Sequence, residues 1–193
     1  MPSRSLRAVE PDQRVGVDGL PARERAGDRI HVIVETPAGS RNKFKYDEAL
    51  GLFRLHKMLQ RGARFPFDFG FIPGTRGQDG DPLDVLVLAE ESISQGCLVT
   101  VRLLGILEAE QTERGETIRN DRLIGVPETE KIRPTARSLA DLPARLVDEV
   151  EHFFVSYNRA EGREFKPLRR AGPVVAAKAV DRGVRAHGRK PAS

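Results

Sequence analysis

The sequence has one cysteine, no tryptophan and no long apolar run. A single cysteine, Cys97, excludes an internal disulfide framework, and its place in an apolar run predicts a buried structural thiol. No stretch reaches the roughly 18 apolar residues of a membrane helix, and the N-terminus lacks the apolar core of a secretory signal. We therefore expect a cytoplasmic protein without a membrane span.

Aromatic residues are also scarce, at 6% of the chain, and this weakens a nucleic-acid interpretation of the net charge of +4. Single-stranded nucleic acid needs aromatic surfaces on which bases stack. The basic residues are concentrated near the two ends of the chain, which is typical of solvated termini. An OB-type nucleic-acid binder is therefore the least favoured class, and we expect no nucleic-acid partner.

The length of 193 residues suits one domain with extended ends. Residues 1–27 carry Pro, Gly and Arg without apolar periodicity, which predicts an irregular N-terminal arm. We expect the domain to span residues 28–182. Residues 183–193 form a basic C-terminal tail in this prediction.

Short β-branched or alternating segments predict strands separated by turns. They are residues 30–35, 43–47 with 50–55 as a hairpin, 83–89, 97–107 and 122–127. Residues 62–78 are dense in Gly, Pro and Phe without a period, which predicts a long structured loop. Residues 108–121 are polar and predict an exposed loop or hairpin tip. The pattern indicates a small β-barrel.

The last third of the chain changes to helical spacing. The apolar residues that share one predicted helix face are Leu142, Leu146, Val150, Phe153, Phe154 and Tyr157. Asp141 and Pro143 suit its start, and a second helix is predicted after Gly172. The fold class is therefore α+β and mainly β, a barrel with helices added at its C-terminal end.

The segment QDGDPLDVLVL, residues 78–88, places Asp79, Asp81 and Asp84 at the mouth of an apolar strand. Asp79 and Asp81 suit a turn, but the strand is apolar on both faces, so Asp84 points into a poorly hydrated region. A buried carboxylate needs a partner. Two interpretations remain: a hard divalent cation, or an arginine that neutralises Asp84. An EF-hand loop is excluded, because Asp84 stands where that loop needs Gly.

The segment Asp79-Gly80-Asp81-Pro82-Leu83-Asp84-Val85 resembles the signature of the soluble inorganic pyrophosphatase family. The resemblance extends over about residues 28 to 180. It includes VIVETPAG, which contains Glu35, and Lys43 eight residues later. FPFDFGFIP, VRLLGIL and RLIGVP also match, as does DLPARLVDEVEHFFVSY, which ends at Tyr157.

This resemblance implies a five-stranded OB-like closed barrel that hydrolyses inorganic pyrophosphate with Mg²⁺, for which Mn²⁺ can substitute. It further implies a homo-oligomer, because bacterial members of this family are usually hexamers. Asp79, Asp84, Asn120 and Asp121 would ligate metal, and Asp81 would also orient or deprotonate the attacking water. Lys43, Lys57, Arg122 and Tyr157 would hold the phosphates, and Glu35, Lys45 and Phe69 would support the site.

Several positions depart from the family pattern, and they reduce the number of carboxylates in the second half of the metal site. Lys45 replaces a family Glu, and Gln111 and Asn120 replace family aspartates. Asp121 could substitute for Asn120 if the loop bulges by one residue. Further departures are Lys57, Phe65, Phe69, Arg122 and Asn158. They leave a second interpretation open: a relative that binds phosphate or nucleotide ligands without efficient turnover.

Overall fold

The computed structural model describes residues 16–24, 28–129 and 134–188. Residues 1–15 and 25–27 of the predicted arm, and 189–193 of the predicted tail, lie outside this range. The described residues form nine strands and two α-helices. The strands are β1 (Ile30–Thr36), β2 (Asn42–Asp47), β3 (Leu52–Met58), β4 (Asp68–Ile72), β5 (Leu83–Val87), β6 (Leu98–Glu113), β7 (Glu116–Arg119), β8 (Arg122–Pro127) and β9 (Glu164–Ala171). The helices are α1 (Ala144–Ala160) and α2 (Pro173–Gly188).

Five of the strands pair into a closed ring. β1 pairs antiparallel with both β4 and β6, β4 with β5, and β6 with β8, while β5 and β8 are parallel. The ring order is therefore β1, β4, β5, β8 and β6, with the last strand returning to the first. The mainly β fold class with C-terminal helices is confirmed.

Two extensions surround the ring. β2 and β3 form a separate antiparallel hairpin, as the sequence predicts. β6 is 16 residues long and runs beyond the ring, where it pairs with β7 and β9. These extensions bring the ends of β2, β3, β7 and α1 to the same side as the turn before β5.

The core has two apolar clusters, and β5 contributes to both. Val85 and Val87 pack in a cluster with α2, and Leu86 packs in a second cluster with α1. This confirms that the strand after the aspartates is apolar on both faces. Its rigidity fixes the position of Asp84, because a strand buried on both faces has no freedom to slip in register.

Two predictions about local structure are wrong, and a third holds in only one of its two alternatives. Residues 62–78 are not one loop, because they contain β4, which is buried on both faces and therefore shows no alternation. Residues 108–121 are not an exposed loop: β6 continues to Glu113 and β7 follows, so only the hairpin alternative holds. Cys97 is exposed rather than buried, because it precedes β6 and the apolar run becomes buried only beyond it.

Both predicted helices are present. Pro143 is the N-cap of α1, and Val150 and Phe154 are buried on its predicted face. α2 begins at Pro173 and continues to Gly188, past the predicted domain boundary at residue 182. β9, between the helices, has no counterpart in the prediction, since Pro167 and four charged residues conceal its strand character. No helix among the described residues is long and apolar enough to cross a membrane.

Candidate active site

A tight turn places the aspartates at one end of β5. Gly80 has φ +85°, which a residue with a side chain rarely adopts, and the Asp81 backbone N–H donates to Asp79 Oδ1 at 3.1 Å. The Leu83 N–H donates to Thr75 Oγ1 at 3.0 Å and starts the strand. Asp84 follows as the second residue of β5, one position from the buried Val85.

Most of the predicted site residues line one cleft of about 580 Å³. They are Glu35, Lys43, Lys45, Lys57, Asp79, Asp81, Asp84, Asn120, Arg122 and Tyr157. The cleft therefore joins the turn before β5 to the β2–β3 hairpin, the start of β8 and the end of α1. This gathering of distant segments is what the sequence prediction requires.

Two predicted residues lie elsewhere. Phe69 is buried beneath the cleft, where its ring contacts Phe65 and Phe154. Asp121 does not line the cleft: its Oδ1 accepts from the Ala109 N–H at 3.0 Å and pairs with Arg119 at 2.5 Å. No bulge turns Asp121 inward, so a ligand role for it has no geometric support in this structure.

Two of the three aspartates are neutralised by cations of the chain itself. Lys45 Nζ donates to both carboxylate oxygens of Asp81, at 2.8 and 2.7 Å. Arg122 Nη1 lies 2.8 Å from Asp84 Oδ2. Burial alone would lower the pKa of Lys45, but the hydrogen bond and the charge of Asp81 raise it above its usual value. The arginine alternative for Asp84 is thus realised.

Arg122 is held rigidly. It is buried, its guanidinium lies 5.0 Å from the Phe154 ring centre and 5.5 Å from that of Phe165, and it donates to Asn120 Oδ1. Its Nε is buried without a hydrogen-bond partner in the described part of the chain. A cation held by packing keeps its place when the charge around it changes.

Lys43 and Lys57 form a second cationic group around Tyr157. They are register partners in the hairpin, and their Nζ atoms lie 5.6 and 4.9 Å from the Tyr157 ring centre. Lys57 also pairs with Glu161 at 2.7 Å. Tyr157 lines the cleft, and its Oη is buried without a hydrogen-bond partner among the described residues, so the bonding capacity of this hydroxyl group is unused.

The cleft disfavours the ionised form of two carboxyl groups, those of Glu35 and Asp79. Burial raises the pKa of Glu35 to about 7, although its Oε1 accepts from the Tyr46 N–H at 2.7 Å. Burial and then the Asp84 charge raise the pKa of Asp79. No basic side chain of the described chain forms an ion pair with Asp79. A bound cation would stabilise the ionised form of Asp79.

The donor set therefore fits a hard divalent cation in part. Oxygen donors of Asp79 and Asp84 suit such an ion. On the opposite wall, however, Gln111 and Asn120 present neutral amides that hydrogen-bond to each other at 3.0 Å. Within residues 16–24, 28–129 and 134–188, no three His, Cys, Asp or Glu side chains converge as a complete metal cage.

Sequence analysis missed further residues of the cleft, notably His56, Arg163 and Glu113. His56 lies beside Lys57 and lines the cleft, where burial and then Lys43 and Lys57 lower its pKa. Its position beside Lys57, just after the predicted hairpin strand 50–55, was the available signal. Arg163 and Glu113 carry no such signal, because only the pairing of β6 with β9 brings them here.

A turn of carboxylates that can hold a hard cation, facing ammonium and guanidinium groups, defines a site for a polyanionic phosphate substrate. Comparison with known proteins agrees. The family model described as inorganic pyrophosphatase matches residues 32–187. An inorganic pyrophosphatase of Synechocystis sp. is 37% identical over 142 residues, 74% of this chain and 81% of the relative. That of Thermus thermophilus is 35% identical over 153 residues, 79% of this chain and 85% of the relative.

Solved structures give the same answer. The inorganic pyrophosphatase of Thermus thermophilus superposes with a TM-score of 0.81 at 31% identity, covering 90% of this chain and 99% of that one. That of Coxiella burnetii superposes with a TM-score of 0.79 at 32% identity, covering 87% and 99%. The chain belongs to the inorganic pyrophosphatase family, a family of generally metal-dependent diphosphatases. The resemblance stated from the sequence is confirmed.

Proposed function

We propose that this protein hydrolyses inorganic pyrophosphate to two phosphates with Mg²⁺, for which Mn²⁺ can substitute. The observation that carries the proposal is the convergence, in one cleft of a pyrophosphatase fold, of the aspartate turn and the cationic group around Tyr157. Hydrolysis of an anhydride between two phosphates needs both, since the substrate is a polyanion and the nucleophile is water.

The chain's own residues would divide the work as follows. Asp79 and Asp84 would hold the metal, with Asn120 as a weaker neutral donor; when bound, the metal polarises the phosphate and acidifies water. Asp81 would orient the attacking water and accept its proton. Lys43, Lys57, Arg122 and Tyr157 would bind the phosphate oxygens, and Glu35 and Lys45 would support the site through hydrogen bonds.

Phosphate release from pyrophosphate, measured with and without Mg²⁺, tests this function. We expect Mg²⁺-dependent turnover in the unaltered protein. Asp84→Asn should lower kcat by about 100-fold or more, because it removes the charge of a residue that would hold the metal. Glu91→Gln, which removes the same charge at an exposed position, is the matched control. Absence of turnover in folded protein would refute the proposal.

A second function is favoured by the opposite wall of the cleft. The Gln111 and Asn120 amides are neutral, and Asp81 and Asp84 already have partners. Such a cleft could bind pyrophosphate or a nucleotide without efficient turnover. Calorimetry that shows binding together with no phosphate release would support this candidate, whereas ordinary turnover would eliminate it.

We also propose a homo-oligomer, a hexamer by resemblance. The β2–β3 hairpin exposes apolar side chains, among them Leu52 at 62% and Met58 at 61%, and such surface favours association. Light scattering would give the mass directly, and a monomer mass would contradict the proposal. The cytoplasmic location expected from the sequence stays a prediction.

A further inference from the structure

The Lys45 ammonium group contacts Asp81 in the way that a metal ion bound by both oxygens of one carboxylate would. One ammonium nitrogen lies 2.8 and 2.7 Å from the two oxygens of one carboxylate, so both oxygens are engaged. A carboxylate whose two oxygens already share a cation has fewer free lone pairs to offer a second cation. The ammonium is a compact point charge, which makes it an effective stand-in for an ion.

The backbone directs Lys45 to this place. Lys45 lies in β2 between Phe44 and Tyr46, and its register partner is Arg54 of β3. The Tyr46 N–H is held by the buried carboxyl group of Glu35 at 2.7 Å. The strand segment that carries Lys45 is therefore anchored to the ring at the residue next to it.

The three aspartates consequently differ in what they can still bind. Asp81 is held by Lys45 and Asp84 by Arg122, whereas Asp79 has no ion pair within the described ranges. Arg122 cannot withdraw easily, since aromatic rings pack on it. Lys45 and Asp81 are 44% and 51% exposed, so this pair is the one that an entering ion could open.

We propose that Lys45 is a built-in cation that occupies the place of a divalent ion at Asp81. The cleft then holds fewer or more weakly bound divalent ions than its carboxylates would bind without Lys45. The inference rests on the proposed function for the metal's position beside the aspartates. It follows because an ion that enters beside Asp81 must first break a charged contact and then lies close to a positive charge.

Titration of the full chain with Mn²⁺, after removal of divalent ions by chelation, tests this. Free Mn²⁺ is counted by electron paramagnetic resonance, and the affinity is measured by calorimetry. Lys45→Met should bind one more Mn²⁺ per chain than the unaltered protein, or the same number about tenfold more tightly or better. Lys45→Arg, which keeps the charge and can still pair with Asp81, should behave like the unaltered protein.

Two controls separate contact from net charge. Lys166→Gln removes a positive charge at an exposed position of β9, and Lys43→Gln removes one inside the cleft that has no ion pair with an aspartate. Both should leave the count of bound Mn²⁺ unchanged. Thermal unfolding of each variant establishes that it is folded, and Lys45→Gln serves as a second variant if Lys45→Met does not fold.

An unchanged count and affinity in folded Lys45→Met and Lys45→Gln would overturn the proposal. It would also be overturned if Lys43→Gln gave the same gain, since the effect would then come from net charge. Phosphate release measured in parallel keeps the two proposals apart. A gain in Mn²⁺ without turnover in any variant refutes hydrolysis alone, and turnover without a gain refutes the role of Lys45 alone.

Discussion

At the scale of single residues, burial and neighbouring charges together determine whether the carboxyl groups of the site are ionised. Glu35 is the clearest case, because the residue is only 7% exposed and lines the cleft. Its neighbours include the Asp84 carboxylate, which disfavours its charge, and Lys43 and Lys45, which favour it. Burial outweighs all of these.

The raised pKa of Glu35 predicts a pH dependence of stability. Its pKa is 4.5 in the unfolded chain and about 7 in the fold, so between these values the folded state binds more protons. The contribution of Glu35 to the free energy of unfolding is therefore greatest below about pH 4.5 and decreases as the pH rises to about 7. Glu35→Gln keeps an acceptor for the Tyr46 N–H and should remove this decrease.

Urea unfolding at pH 5 and pH 8, in the presence of a chelator, measures the effect. At pH 8 Glu35→Gln should be more stable than the unaltered protein by up to about 3 kcal/mol. Glu91→Gln, at an exposed position, should follow the unaltered protein at both values. Parallel pH profiles for all three proteins would contradict the prediction.

Tyr157 gives a second prediction at this scale. Its Oη has no hydrogen-bond partner within the described chain, so the fold does not depend on it. Tyr157→Phe should change the free energy of unfolding by less than about 1 kcal/mol and raise the KM for pyrophosphate several-fold. Steady-state kinetics and urea unfolding separate the two effects. A large loss of stability with unchanged KM would assign the hydroxyl to the fold.

At the scale of elements, the cleft depends on how closely strands of the ring approach each other. β4 lies between β1 and β5, and Gly70 at its centre faces Val34 and Val85. A Cβ atom on Gly70 would lie 2.2 Å from the Ile33 carbonyl oxygen. Because that oxygen belongs to a backbone, it cannot move without disturbing the ring.

Gly70→Ala should therefore destabilise the fold by about 3 kcal/mol or more. Gly172→Ala is the matched control: a Cβ atom there would meet nothing within 4 Å, and the backbone has no positive φ. The free energy of unfolding of that control should lie within about 0.5 kcal/mol of the value for the unaltered protein. Thermal or urea unfolding compares the two, and equal stability of both variants would show that the strands can separate.

At the scale of the whole molecule, charge determines which ligands the protein attracts. The net charge of +4 leaves a modest positive excess, but much of the basic surface is already paired. Arg170 pairs with Asp148 and Glu151, and Arg169 with Glu108. Lys43, which lines the cleft and has no ion pair with a described residue, rather than a general surface field, is what would attract a small polyanion.

We therefore predict that single-stranded oligonucleotides bind weakly and without the steep salt dependence of a nucleic-acid protein. Fluorescence anisotropy between about 50 and 200 mM salt measures this, since each neutralised phosphate steepens the slope. Inorganic pyrophosphate should compete with whatever binding remains. Tight binding that falls a thousandfold over this range would place the protein in the nucleic-acid class.

Much of the fold followed from local patterns. The bounds of β8 match the predicted segment RLIGVP, which follows Asn120-Asp121 and ends at Pro127, and α1 follows its apolar spacing. β4 and β9 did not, for opposite reasons. β4 is buried on both faces and so lacks a period, while β9 carries charges and a proline that only pairing with β6 makes compatible with a strand.

The sequence by itself determined the family, the fold class and the residues of the aspartate turn, because these depend on a contiguous motif and on local periodicity. The tertiary structure alone decided how those aspartates are neutralised. Lys45 lies 36 residues from Asp81 along the chain, and the packing of the β2–β3 hairpin against the ring brings them within hydrogen-bonding distance. It also turned Asp121 away from the cleft, since its carboxylate is held by the Ala109 backbone and Arg119. Contacts between residues that are distant in the sequence, which no local pattern encodes, determined which carboxylates of the site are neutralised.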